Sequence, residues 1–508
     1  ISGSSLIANM TVLSADIVAA SARLHNSTTL PNDEYDRRIR ELVEYFRRLL
    51  STKALVSLAA DDSLINHFDP AVESIPYLFV LQVQIQRAQD VSGDAFPVDL
   101  LPMGKLWARA AHFLGCFDRV QVRYSGREWR QLVELVGKAS QAASMPLLGA
   151  TLVRDAMLRL DPSCAVFTSV HLMLLQLCLQ AKSYACALPI LDKKICHFPT
   201  SLERSPSEPS VLCADHESSV SFMTDTSGFS SMLSYRDYLR YFLYHGMVNM
   251  ALKQWRSAFH SLGIVISAPS ASSVSLVMVE AYKKWVLVGL LEKGKFCSPP
   301  SITAPHVAKV YQALARPYIS FAHAFERGDL KRLEAEFNAA HGVWCTDRNL
   351  GLVSQVMDAF FSQTVIKLGK TFAALTVADL VKQVFSSHVS EEAAESAISS
   401  LIMSRALDAT LVQTSDRAEP SMLRFSGTRL LPQLPHELDL RSQLKQERRS
   451  METLMGSLGE TNNNLGLSDE YIDSLQKGQG WSGSGDANPD AGEEASHDID
   501  EDLMGDVS

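Results

Sequence analysis

The sequence predicts a mostly α-helical protein: an α-solenoid of tetratricopeptide-like repeats ending in a winged-helix subdomain, then a C-terminal helix and a disordered acidic tail. Three observations carry this. Amphipathic helices follow one another with short connections through the first two thirds of the chain. One helical hairpin recurs at a spacing typical of solenoid repeats. After Leu352 the order becomes helix, helix, helix, hairpin, which is the order of a winged helix.

Length and composition set the limits. The chain has 508 residues, 46% of them hydrophobic and 20% charged, enough for several domains or one elongated array. A net charge of −10 argues against nucleic acid or an anionic membrane as partner, although much of it sits after Gly485. Eight cysteines are scattered without a C-x-x-C pair, as expected of reduced thiols in cytosol or nucleus. The chain begins at Ile1 rather than Met, as a fragment or incomplete gene model would. No secretory signal is visible, so the glycosylation patterns at Asn9 and Asn26 carry no meaning. The most apolar stretch, Leu276 to Leu291, is broken by Glu280, Lys283 and Lys284, so no membrane span is expected.

Taken in order, Tyr35, Ile39, Leu42, Val43, Phe46 and Leu50 mark the first strong helix. Pro76–Gln89, Gly104–Leu114, Arg127–Ser140 and Leu148–Leu160 follow, and short links favour antiparallel neighbours. His171–Lys182 is then followed by Ser183–Leu191, and Tyr238–Lys253 by Gln254–Leu262. In both, an aromatic (Tyr184, Trp255) precedes a small Ala by three residues (Ala187, Ala258), and a large apolar residue follows. The two aromatics are 71 residues apart. A Ser- and Pro-rich insertion accounts for about half of that distance and leaves a period in the mid-thirties. That insertion is polar and reads as a disordered loop. Glu280–Leu291, Ala304–Phe325 and Leu330–Asn338 continue the array.

From Leu352 a long apolar helix carries Val353, Val356, Phe360, Leu368, Phe372 and Leu375. Thr376, with Asp379 three residues on, caps a short helix through Val384 and Phe385. Ser390 caps another, with Ile398, Leu401 and Ile402 inward. Ala409–Gln413 and Ser421–Phe425 read as strands joined by the turn Thr414–Pro420. Pro432 and Pro435 precede a further helix whose stripe is Leu440, Leu444, Met451, Leu454, Met455 and Leu458. The resulting divisions are 1–198 N-terminal repeats, 199–234 disordered insertion, 235–370 continuing helices, 371–428 winged helix, 436–458 assembly helix and 459–508 acidic tail.

Helical repeats flowing into a terminal winged helix resemble the PCI domain, shared by scaffold subunits of the proteasome lid, the COP9 signalosome and the initiation factor three complex. The runs His171–Asp192, Glu280–Val288, Arg348–Val353 and Lys370–Thr376 are similar to the subunit 3 family of the signalosome. The resemblance covers roughly residues 165 to 428 and is weak before 150. It implies a non-catalytic scaffold in the complex that deneddylates cullins, found in nucleus and cytoplasm. The implied partners are other PCI and metalloprotease-type subunits and, indirectly, cullin-RING ligases. The family's isopeptidase is a different subunit with an H-x-H zinc pair, which this chain lacks.

The interface residues expected from the pattern are Leu411, Val412, Met422, Leu423 and Phe425 on the hairpin, whose free strand edge could pair with a neighbour's. The stripe Leu440, Leu444, Met451, Leu454, Met455 and Leu458 is the second, suited to a bundle of partner helices. No catalytic residue, cofactor or metal site is expected. Gly289–Lys295 begins like a phosphate loop, but Phe296 stands where Ser or Thr must hold magnesium. Gly478–Gly483 has dinucleotide-loop spacing without flanking strand or helix. The runner-up among scaffolds is a PCI subunit of the proteasome lid or of a translation initiation factor complex, and the rival class is a nucleic-acid-binding winged helix. It is disfavoured because residues 371–428 hold four basic against seven acidic side chains.

Overall fold

The computed structural model describes residues 31–51, 64–93, 96–199, 219, 222–270, 274–384, 391–403, 407–412, 421–425 and 437–466. Asn9, Asn26, residues 200–218, Ser390, the hairpin turn from Thr414 to Pro420 and the acidic tail after Gly466 lie outside them. The described residues up to Phe425 belong to one compact unit and Glu437–Gly466 to a second.

The first unit opens with α1 (Asn32–Ser51), α2 (Ser74–Ser92), α3 (Lys105–Cys116), the single turn α4 (Arg119–Val122), α5 (Gly126–Ala142), α6 (Pro146–Leu160) and α7 (Ser169–Ala181). These match the apolar periodicities, because each puts one stripe into a shared core: Ile39, Val43 and Phe46 from α1, Leu132 and Val136 from α5, Val153 and Leu160 from α6. The ends are closed by specific polar groups. Arg159 donates to the carbonyls of Gly115 (3.0 Å), Cys116 (2.8 Å) and Phe117 (2.6 Å), satisfying acceptors left open where α3 stops. Arg47 of α1 makes a two-pronged pair with the buried Glu128 of α5, both contacts at 3.0 Å.

The repeat is present but uneven. The stretch after α7 is a 3-10 turn, Tyr184–Ala187, and then only α8 (Leu188–Leu191). Pro189 explains the brevity, since it tolerates only the first turn of a helix. The equivalent pair is full length: α9 (Tyr235–Ala251) and α10 (Trp255–Ile266). In both hairpins the expected alanine, Ala187 or Ala258, is fully buried, letting neighbouring helices approach. α9 serves two cores, giving Tyr241 and Val248 to the first and Leu239 and Leu243 to the second.

The insertion differs from expectation over its second half. Phe222, Met223 and Phe229 are buried in the first core. Phe229 meets Trp129 edge-on at 5.8 Å and Phe222 at 6.0 Å, extending an aromatic row that runs through Phe117, Phe113 and Tyr77. Arg123 lies over the Phe222 ring at 4.7 Å. Each buried ring contributes about 1.5–3 kcal/mol of burial, enough to seat a short segment that is otherwise polar. The close approach needs glycine. A Cβ on Gly126 would sit 2.5 Å from Ser227 O, and Gly228 adopts φ +79° against Arg127.

The array continues through α11 (Leu276–Lys293), α12 (Pro305–Leu314), α13 (Arg316–Arg327), α14 (Leu330–Ala339), α15 (His341–Thr346) and α16 (Leu350–Gly369). The stretch Ala304–Phe325 holds two of these helices, divided at Ala315, with Pro317 in the first turn of α13. Gly289 lies inside α11 and Gly294 caps it with a left-handed φ of +65°, so Gly289–Lys295 forms no phosphate loop.

The last part of the first unit is a small α/β layer: α16, β1 (Ala374–Thr376), α17 (Val377–Val384), α18 (Glu391–Met403), β2 (Ala409–Val412) and β3 (Met422–Phe425). The sheet has three strands in the order β1-β3-β2, all antiparallel. This is winged-helix order, with a strand where a continuous helix was expected. α16 stops at Gly369, so Leu375 lies in β1, opposite Leu423, and Phe372 is exposed. Gly369, the last residue of α16, packs against the sheet. A Cβ there would sit 2.8 Å from the Phe425 ring, so any larger residue would force the ring or the helix end to shift.

The second unit is α19 (Glu437–Gly466), eight residues longer at its C-terminal end than the stripe implied. Gly459 and Asn462–Asn464 weaken a helix by about 1 kcal/mol or less each relative to alanine, but unlike proline they do not block its hydrogen bonds.

Candidate assembly surfaces

Each face of the sheet follows from strand alternation. Ala409 opposes Phe425 and Leu411 opposes Leu423 on the inner face; Thr410 opposes Arg424 and Val412 opposes Met422 on the outer. The inner residues join Val365, Val377, Leu380, Ala394 and Ile398 in a third core. Leu423 is 0% and Phe425 7% exposed, so both hold the sheet to its helices and offer nothing to a partner. Leu411 is half-buried against the same core. Of the five hairpin residues singled out from sequence, Val412 (49%) and Met422 (45%) remain exposed, side by side on one face.

The position of β3 changes which edge is free. It pairs on both sides, so the outer edges belong to β1 and β2. β1 was missed because Lys370–Thr376 continues an apolar helical spacing; the stop signal was Gly369 after the basic Lys367. The Thr376 cap is as expected: its hydroxyl accepts from Asp379 N at 3.1 Å and donates to the Asp379 carboxylate at 2.7 Å. α18 carries three glutamates and no Lys or Arg, the wrong sign for phosphate contacts.

On α19 the six stripe residues, Leu440, Leu444, Met451, Leu454, Met455 and Leu458, are 37–68% exposed. Arg448 and Glu452 form an exposed i,i+4 pair at 2.8 Å beside them. An apolar stripe this long on one helix is the pattern of a helix that completes its packing against others.

A polar joint that sequence reasoning did not single out connects the array to the sheet layer. Asp347 accepts from Lys283 Nζ (2.7 Å) and from the Tyr318 hydroxyl (2.8 Å), while Asn349 Nδ2 donates to that hydroxyl oxygen (2.8 Å). The turn holds Arg348 at φ +56°. Burial, foremost, raises the Tyr318 phenol pKa, keeping it a donor. Two stretches of family resemblance, Glu280–Val288 and Arg348–Val353, thus meet in space. From the joint α16 runs on, giving Val353, Val356 and Phe360 to the second core and Val365 to the third.

Among the described residues no group of three or more His, Cys, Asp or Glu side chains could hold a metal ion. No described helix is long and apolar enough to cross a membrane. The seven described cysteines are free thiols.

Comparison with known proteins agrees with this architecture. The family model described as COP9 signalosome complex subunit 3, N-terminal helical repeats, matches residues 36–307. The likeness therefore begins well before residue 150, where the sequence resemblance was weak. A COP9 signalosome complex subunit 3 from Emericella nidulans is 41% identical over 495 residues, 97% of this chain and 99% of that protein. The subunit 3 of Neurospora crassa is 25% identical over 480 residues, 93% of this chain and 92% of its own length. That of Arabidopsis thaliana is 25% identical over 323 residues, 63% of this chain and 65% of its own. With its helical-repeat array inside the family match and one relative similar almost end to end, the chain belongs to the COP9 signalosome subunit 3 family.

Proposed function

We propose that this chain is a non-catalytic scaffold subunit of the COP9 signalosome, the complex that removes the ubiquitin-like modifier from cullins and regulates cullin-RING ligases. The observation that carries the reading is the bare apolar stripe of α19 on a chain of this family. A helix with six exposed Leu and Met residues in register is suited to a bundle of helices from sibling subunits. The sheet layer is a PCI winged helix in this reading. Its β1 and β2 edges, with Val412 and Met422 beside them, are suited to strand pairing or packing against a second PCI subunit. The partners are other PCI subunits and the metalloprotease-type subunit, the compartments nucleus and cytoplasm, and neither nucleic acid nor membrane is engaged.

Purification of the tagged chain from cells, with identification of its companions, tests this. Recovery of sibling PCI subunits and a metalloprotease subunit is expected; their consistent absence would sink the reading. Removing residues 437–466 is expected to leave the rest of the chain folded by circular dichroism but to reduce what co-purifies. Unchanged complex size on gel filtration would separate α19 from assembly.

A further inference from the structure

The segment Phe222–Phe229 does more than cover apolar surface. Met223 and Phe229 close a small cavity whose walls include Trp129, Asp161, Cys164 and His171. The cavity measures about 20 Å³. About 10–15 Å³ on that measure is room for one water. Three side-chain atoms of its walls are buried and meet no hydrogen-bonding partner: Trp129 Nε1, Asp161 Oδ2 and His171 Nε2. The residues that carry them are all less than a tenth exposed.

Their chemical characters are settled by their other contacts. The indole N–H can only donate. Asp161 uses Oδ1 to accept from Ser163 N (2.9 Å) and Ser163 Oγ (2.6 Å), leaving Oδ2 as an acceptor. His171 Nδ1 accepts from Thr168 N–H at 3.2 Å, within the box that caps α7. A neutral imidazole that accepts at Nδ1 carries its proton on Nε2. Burial pushes the His171 pKa down to about 4, so the ring is neutral near pH 7. The residues that carry these two donors and one acceptor therefore line the same small space.

We infer that a single ordered water binds there, accepting from Trp129 Nε1 and His171 Nε2 and donating to Asp161 Oδ2. The donor pattern selects against the alternatives of similar size. Two N–H groups repel a cation, and the Asp161 carboxylate repels an anion. A water satisfies all three at once, as buried waters typically do with about three bonds. Met223 and Phe229 of the insertion supply apolar wall to this cavity, so the water joins Trp129 of α5, Asp161 at the end of α6 and His171 of α7 beneath them.

A crystal structure of the full chain at a resolution that shows ordered waters tests this directly. The expected result is one peak within hydrogen-bonding distance of all three atoms. An empty cavity, or a direct bond from Trp129 or His171 to Asp161, overturns the inference. Thermal unfolding of Trp129→Phe, Asp161→Asn and the double variant gives a second measurement. Asn at 161 turns an acceptor into a donor, and Phe at 129 removes one, so the pair restores the donor count that a water accepts. Each single variant is expected to lower the Tm, and the double variant to lower it no further than the worse single. Strictly additive shifts would also overturn the inference.

Discussion

The sheet layer of residues 374–425 and the helix α19 use similar apolar residues to opposite ends. Leu423 and Phe425 alternate along β3 and vanish into a core; Leu440 to Leu458 recur along α19 and stay exposed. The difference is not in periodicity, which is sound in both. A sheet with helices on one face supplies both layers that a core requires. A single helix supplies one layer, and the other must come from outside the helix. The same pattern therefore means stability in the sheet layer and, under the proposed function, assembly in α19.

Substitutions should separate the two meanings. Phe425→Ala is expected to have the largest effect of any single substitution, a loss of about 3–5 kcal/mol in denaturant unfolding of the first unit, because the ring is buried in the third core. A small loss would mean that the sheet is not an independent core. Acidification should come next. Burial lowers the pKa of His171 and of His245 to about 4 from an ordinary 6.5. Unfolding exposes rings that take up protons more readily, so stability is complete above about pH 6.5 and falls as pH drops toward 4. The loss is on the order of 3 kcal/mol for each ring. α19 contains no histidine, so its helical signal should not share that dependence. Replacement of His171 by Gln should flatten part of the slope; an unaltered profile would contradict its burial as a neutral ring.

Gly369→Ala should cost about 1–3 kcal/mol by overpacking, since its Cβ meets the Phe425 ring at 2.8 Å. A neutral outcome would show that the ring can give way. The smallest stability effect belongs to Leu444→Ala with Leu454→Ala on α19, within about 0.5 kcal/mol for each exposed site. These are nevertheless the changes expected to reduce co-purification with sibling subunits most, and unchanged recovery would remove the contrast on which the comparison stands.

Much of the architecture was legible in the chain because helices announce themselves locally. The stripes of α1 to α7, the alanines at 187 and 258, the Thr376 cap and the exposed stripe of α19 follow from spacing and side-chain type. The six apolar positions of α19 were legible as one stripe on a helix, and the hairpin only in its two strands. Alternation shows that Met422 and Leu423 face opposite ways, but not which way is inward.

What tertiary structure alone decided is long-range. β1 is a strand because β3 lies beside it, and its own residues would extend a helix equally well. Phe222 and Phe229 are ordered because Trp129, almost a hundred residues earlier, offers them a place, whereas their neighbours are polar. Asp347 became a joint only when Lys283 and Tyr318 arrived from separate helices. Local periodicity sets which face of an element is apolar. What that face meets depends on contacts between distant parts of the chain, and those are made only in the folded protein.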